Sequence, residues 1–138
     1  MQHWNEDDEA AVTRVLAGYY RAFSTLDAKA IVPYFHEPSV LISPLGVAAV
    51  PTSAALVPTF AAIMDDFRAR GYGWSELTML QVKGLSATAA LASGVAIRYK
   101  TNGQELDRAG VTYVLHKAGN DWKIAVTLVH DAGPQGIG

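Results

Sequence analysis

The chain has 138 residues, with 11 Lys and Arg against 13 Asp and Glu, a formal net charge of −2 and no cysteine. That length suits one domain over residues 1–138, able to bury roughly 70% of its unfolded surface without a disulfide or a structural metal. The composition excludes thiolate catalysis and cysteine zinc sites, offers nucleic acid no basic stripe, and contains no apolar run near the ~20 residues of a membrane span.

The first residues, Met1-Gln2-His3-Trp4, run straight into acidic sequence and lack the apolar stretch of a signal peptide, which leads us to expect a cytoplasmic protein. Asn5 is placed to cap a first helix, and Glu6, Asp7, Asp8 and Glu9 suit the positive end of its dipole. Val12, Val15, Leu16, Tyr19 and Phe23 fall on one helical stripe, so the neighbouring Tyr20 is expected to point elsewhere. Asp27 caps a second, shorter helix with Ile31 and Phe35 inward, and Pro38 is expected to stop it. Val40-Leu41-Ile42 reads as a short strand, and Val47–Val50 as its hairpin partner across Pro44 and Gly46. Thr52 or Ser53 caps a third helix whose stripe is Leu56, Phe60, Ile63, Met64 and Phe67, with Pro58 expected to bend it and Gly71 and Gly73 to end it.

Four strands follow: Trp74–Lys83, Ala92–Thr101, Gln104–Lys117 and Trp122–Asp131. Asn102-Gly103 and Gly119-Asn120 are the hairpin signals between the last three, because residues that tolerate φ > 0 are needed there. Two-residue turns set Arg98 against Asp107, Ala96 against Ala109, Leu115 against Ile124, Tyr113 against Val126, Val111 against Leu128 and Ala109 against His130. One face then carries Trp122, Ile124, Val126, Leu128, Val111, Tyr113 and Leu115 under the helices, and ends in Arg98, Asp107 and His130. An apolar wall ending in convergent polar groups is the form of a small-molecule pocket. The other face holds Val95, Ile97, Tyr99, Val114 and Val129 with Thr112 and Thr127, and Trp74, Leu80 and Val82 are read onto it. A second apolar face predicts a homodimer through the outer side of the sheet.

The order helix, helix, hairpin, helix, long meander is α+β, with the helices against one face of a strongly curved antiparallel sheet. The segment Tyr19 to Asp27, Ala30-Ile31-Val32 with Phe35, Ser43-Pro44-Leu45-Gly46, and Asp121-Trp122-Lys123-Ile124 resemble the nuclear transport factor 2-like superfamily, in its SnoaL-like and ketosteroid isomerase-like branch. The resemblance covers nearly the whole chain, implies a cone-shaped, curved antiparallel sheet with three N-terminal helices packed on its concave face, and is specific for fold rather than activity. It places Tyr19 where the isomerase has its oxyanion-binding tyrosine and Tyr113 nearest the second oxyanion donor, a protonated acid in the isomerase. It places Ser43 where the isomerase has its aspartate base, so no steroid isomerase activity is expected. SnoaL-like cyclases imply a late acid, for which Asp107 is preferred to Asp131.

Each candidate has a plain structural alternative. Arg98 with Asp107 is an anion clamp or a cross-strand ion pair. His130 is a general base or a rim histidine. Tyr19 is an oxyanion donor or a core tyrosine. The histidines show no metal-ligand spacing, and neither metal nor cofactor is expected. The function that follows is binding of a small, carbonyl-bearing molecule. Cofactor-free acid–base chemistry by Tyr19, Asp107 and His130 would act on a ligand held by Ser43, Arg98 and Tyr113. The rivals are a non-catalytic binding module and a dimeric structural one.

Overall fold

The computed structural model describes residues 3–132. Helix α1 (Glu6–Phe23) is followed by a 3-10 helix (Ala28–Tyr34), a hairpin of β1 (Phe35–Ser43) and β2 (Gly46–Val50), helix α2 (Ser53–Ala69), and strands β3 (Tyr72–Gly84), β4 (Ala89–Lys100), β5 (Glu105–Ala118) and β6 (Asp121–His130). The three helices pack on one face of a curved, unclosed six-stranded sheet in the order β2-β1-β6-β5-β4-β3. All neighbours are antiparallel except β1 and β6, which run parallel, so the sheet is mixed where the sequence suggested a purely antiparallel one.

The helices start where their caps require. Asn5 accepts from the Asp8 amide while Asp8 returns a bond to the Asn5 amide, a reciprocal cap that satisfies two otherwise orphaned donors. Asp8 does more than cap. Its carboxylate is 6% exposed and accepts from Lys117 Nζ at 3.1 Å and Trp122 Nε1 at 3.2 Å. Burial works to raise the Asp8 pKa, but the bonds from Lys117, Trp122 and Asn5 and the Lys117 charge outweigh it and hold the group below the ordinary carboxylate value. The start of α1 is thereby tied to the β5–β6 turn. Thr52 caps α2, which continues through Pro58 to Ala69.

The second helix is a 3-10 turn capped by Asp27 that stops at Tyr34; Phe35 opens β1, and the strand rather than the helix runs through Pro38. The helical stripes meet in one core: Val12, Leu16 and Tyr19 from α1, Leu56, Phe60 and Met64 from α2, and Leu115, Trp122 and Ile124 from the sheet. Ala90, Ala92 and Ala96 on β4 are buried in the same core. Truncating a buried leucine such as Leu16 in a core of this kind costs about 2–5 kcal/mol.

Register decides which side chains face the helices. The β4–β5 ladder pairs Arg98 with Asp107 and Ala96 with Ala109 as the sequence predicts, although the loop runs from Thr101 to Gln104 and a one-residue shift at Tyr99 restores the frame. Gly119-Asn120 makes the expected tight turn, and Leu115 pairs with Ile124. The ladder then shifts: Val114 pairs with Val126, Tyr113 with Thr127, Val111 with Val129 and Gly110 with His130. Ala125 is the extra residue of a β-bulge, and it reverses the facing of everything after it. The predicted pairs Tyr113 with Val126, Val111 with Leu128 and Ala109 with His130 are not formed. Thr127 and Val129 face the helices, and Val126, Leu128 and His130 face outward.

A second bulge lies in β3, where Thr78 pairs with Val95 but Gln81 with Ser93, and Met79 takes a φ of 54°. It turns Leu80 and Val82 inward against the core, whereas Trp74 stays on the outer face, stacked on Tyr99 with ring centroids 5.0 Å apart.

Candidate functional site

Between α1, α2 and the inner face of β4, β5 and β6 lies a cavity of about 80 Å³. Its apolar wall comes from the inward stripes of both helices, with Phe23, Phe60, Ile63 and Phe67, and from Leu41, Val111 and Val129 of the sheet. Its polar groups are Tyr19, Tyr20, Ser75, Arg98, Tyr113 and Thr127.

Tyr113 rises from β5 and its hydroxyl lies 2.8 Å from that of Tyr20 on α1. Tyr19 and Tyr113 pack edge to face with centroids 6.3 Å apart, and Tyr19 meets Tyr20 in the same way at 5.6 Å. Burial raises all three phenols. Tyr20 is pushed up to about 12, with the Tyr113 bond and the Arg98 charge pulling the other way. Tyr19 and Tyr113 lie well above the usual tyrosine value for the same first cause, reinforced by their tyrosine neighbours and countered by Arg98. The three hydroxyls therefore remain protonated donors at neutral pH.

Arg98 projects from β4 with its side chain 16% exposed. Its Nη1 donates to Asp107 Oδ1 at 3.1 Å, and its guanidinium lies over the Phe67 ring, 5.2 Å from the centroid. Arg70 sits over the same ring at 4.9 Å and donates to Asp107 Oδ2 at 2.9 Å. Asp107 thus bridges two arginines at the rim and does not line the cavity. Beside Arg98 across the β3–β4 ladder, the Ser75 hydroxyl lies 2.7 Å from that of Tyr72, which lies 3.3 Å from that of Ser24.

The fold brings together Tyr19, Tyr113 and Arg98 of the residues singled out in the sequence. Ser43 does not join them: it ends β1, and its Oγ accepts from the Leu45 amide at 3.2 Å within the β1–β2 turn. His130 does not join them either, because the Ala125 bulge turns it to the outer face. There Nδ1 donates to the Asp131 carbonyl at 2.9 Å, and Nε2 lies 3.0 Å from Thr112 Oγ1. Gly110 makes room for that ring, since a Cβ there would run into it.

Some wall residues escape the sequence. Tyr20 lies off the helical stripe, but adjacent helical positions differ by only about 100°, and a concave sheet accepts both. Thr127 and Val129 are expected on the outer face and line the cavity instead, because an alanine bulge carries no composition signal. Among the described residues no group of three or more His, Asp or Glu is placed to hold a metal, and no helix is long and apolar enough to cross a membrane.

Residues 7–132 match the profile of a family described as NTF2-like protein (DUF6841). No curated protein sequence matches the chain. Among solved structures, a protein of unknown function with a cystatin-like fold from Nostoc punctiforme superposes with a TM-score of 0.81 at 16% identity, covering 96% of this chain and 97% of that one. An NTF2-like protein from Novosphingobium aromaticivorans gives 0.77 at 13% identity, over 94% and 84% of the two chains. An NTF2-like protein of unknown function from Shewanella oneidensis gives 0.72 at 20% identity, over 89% and 98%. At these identities the likeness is one of fold.

Proposed function

The chain belongs to the NTF2-like family DUF6841, and from that premise we propose that its cavity binds one small, largely apolar molecule by a polar end. The observation that carries this reading is that Arg98 and the three tyrosines Tyr19, Tyr20 and Tyr113 line one cavity whose wall is otherwise largely aromatic and aliphatic. The ligand's polar end is anionic or strongly accepting, since the groups that meet it are a cation and neutral donors.

Size narrows the class. A cavity that encloses benzene measures roughly 150 Å³, so this one, about 80 Å³ and open on one side, takes no more than a single ring, part of which stands in the opening. A steroid is too large.

Binding is favoured over turnover because the wall carries neither a carboxylate nor an imidazole among the described residues. Acid–base chemistry is the second reading, favoured by one observation. The Tyr20–Tyr113 hydroxyl pair is protonated and placed to donate to a developing oxyanion. In that reading Asp107 is the nearest acid to Arg98, and His130 has no part.

We further read the outer sheet face as a homodimer surface. Trp74 stacked on Tyr99, together with Ile97, Val114, Val126 and Leu128, forms an apolar side unlike a solvated antiparallel face.

A thermal-shift panel of single-ring acids, phenols and steroids tests the pocket. A ligand at 100 times its dissociation constant adds about 2.7 kcal/mol of stability. Single-ring acids are expected to raise the melting temperature of the wild type but not of Arg98→Ala. A response to steroids, or to no single-ring compound, would contradict the reading.

A further inference from the structure

Thr127 is 4% exposed, and its Oγ1 is the one buried side-chain polar atom left without a hydrogen-bond partner among the described residues. A buried hydroxyl in that state is destabilising, and native proteins leave few of them. It lines the cavity and lies directly across the β5–β6 ladder from Tyr113, whose own hydroxyl is already engaged by Tyr20. It is there only because of the extra residue Ala125. Without the bulge's reversal of facing, position 127 would sit on the outer side of the sheet. The opposite end of the same cavity is Arg98, whose partner Asp107 precedes Tyr113 by six positions on β5. The cavity therefore has a cationic end, aromatic flanks and an unsatisfied neutral hydroxyl at its far end.

Resting on the reading that the cavity binds a small molecule, we infer that Thr127 recognises the ligand and that the ligand is a single-ring aromatic acid with two polar ends. Its carboxylate meets Arg98. A neutral hydrogen-bonding group on the far side of its ring, a hydroxyl or a carbonyl, completes Thr127. The hydroxyl serves such a group in either role, since it has both a donor and acceptor lone pairs. No protein group meets that hydroxyl, and the matching ligand does.

Calorimetric titration of benzoate and 4-hydroxybenzoate into the wild type, Thr127→Val and Thr127→Ser, with ligand-free melting curves of each, tests this. The wild type should bind 4-hydroxybenzoate about tenfold more tightly than benzoate. Thr127→Val should lose that preference, keep its affinity for benzoate, and melt a few degrees higher than the wild type without ligand. Thr127→Ser should keep the preference. The contrasting variant Thr112→Val, which removes a hydroxyl that is paired with Ser93 and His130, should melt lower. If both acids bind and Thr127→Val discriminates between them as the wild type does, the role of Thr127 is overturned and the pocket stands. If neither acid binds the wild type, both readings fall. If Thr127→Val melts no higher than the wild type, the claim of an unsatisfied hydroxyl is overturned.

Discussion

Tyr20 and Tyr113 tie α1 to β5 by one hydroxyl contact of 2.8 Å at the cavity wall. Tyr20→Phe removes one partner and leaves the Tyr113 hydroxyl buried, so we expect a loss of roughly 1–3 kcal/mol near neutral pH. The alkaline limb carries the sign. A phenol raised above its ordinary value of 10.0, as Tyr20 is to about 12, keeps in the folded state a proton that the unfolded chain releases. Its stabilisation is complete below pH 10 and is lost as pH rises from 10 toward 12, by about 1.4 kcal/mol per unit. Denaturant melts at pH 7 and pH 11 should show the gap between wild type and Tyr20→Phe shrinking at the higher pH; a constant gap would contradict this assignment. At this scale the sequence was legible where a residue's facing followed from helix period or strand alternation, as for Tyr19 and Tyr113, and for Arg98 because the shift at Tyr99 offsets the longer loop. It was not legible past Ala125, which moved His130 out of the site and brought Thr127 into it.

The elements themselves were readable from caps and stripes: Asn5 and Thr52 begin α1 and α2 as their side-chain chemistry dictates. What escaped was irregularity. The bulges at Met79 and Ala125 and the parallel pairing of β1 with β6 depend on contacts far apart in the chain, which short-range pattern does not encode. One close approach lends itself to a test. Gly84 on β3 is bare where the Trp4 indole lies against it, and Trp4 in turn meets Trp122 edge to face at 5.5 Å. A Cβ at 84 would occupy the indole's place. Gly84→Ala should therefore destabilise by about 1–3 kcal/mol, and adding it to Trp4→Ala should cost little more than Trp4→Ala alone. Additive costs in that double-mutant cycle would show that the contact is not what keeps position 84 glycine.

For the whole molecule, one face of the sheet is spent on helices and cavity, and the other is the proposed dimer surface. A stable interface takes about 800 Å² from each partner. Sedimentation should give a dimer, and Val126→Lys, which changes the outer face alone, should yield a monomer that still binds ligand. A wild-type monomer at micromolar concentrations would contradict the dimer. The cavity itself is tested most directly by an amide NMR titration of the wild type with 4-hydroxybenzoate. The account predicts shifts gathered at Tyr19, Tyr20 and Phe23, at Phe60 and Phe67, and at Arg98, Tyr113 and Thr127, with outer residues such as Val114 and Val126 still. Shifts centred on the outer face, or on the groove between α1 and β3 beside Leu80 and Val82, would place the ligand elsewhere and contradict the central claim.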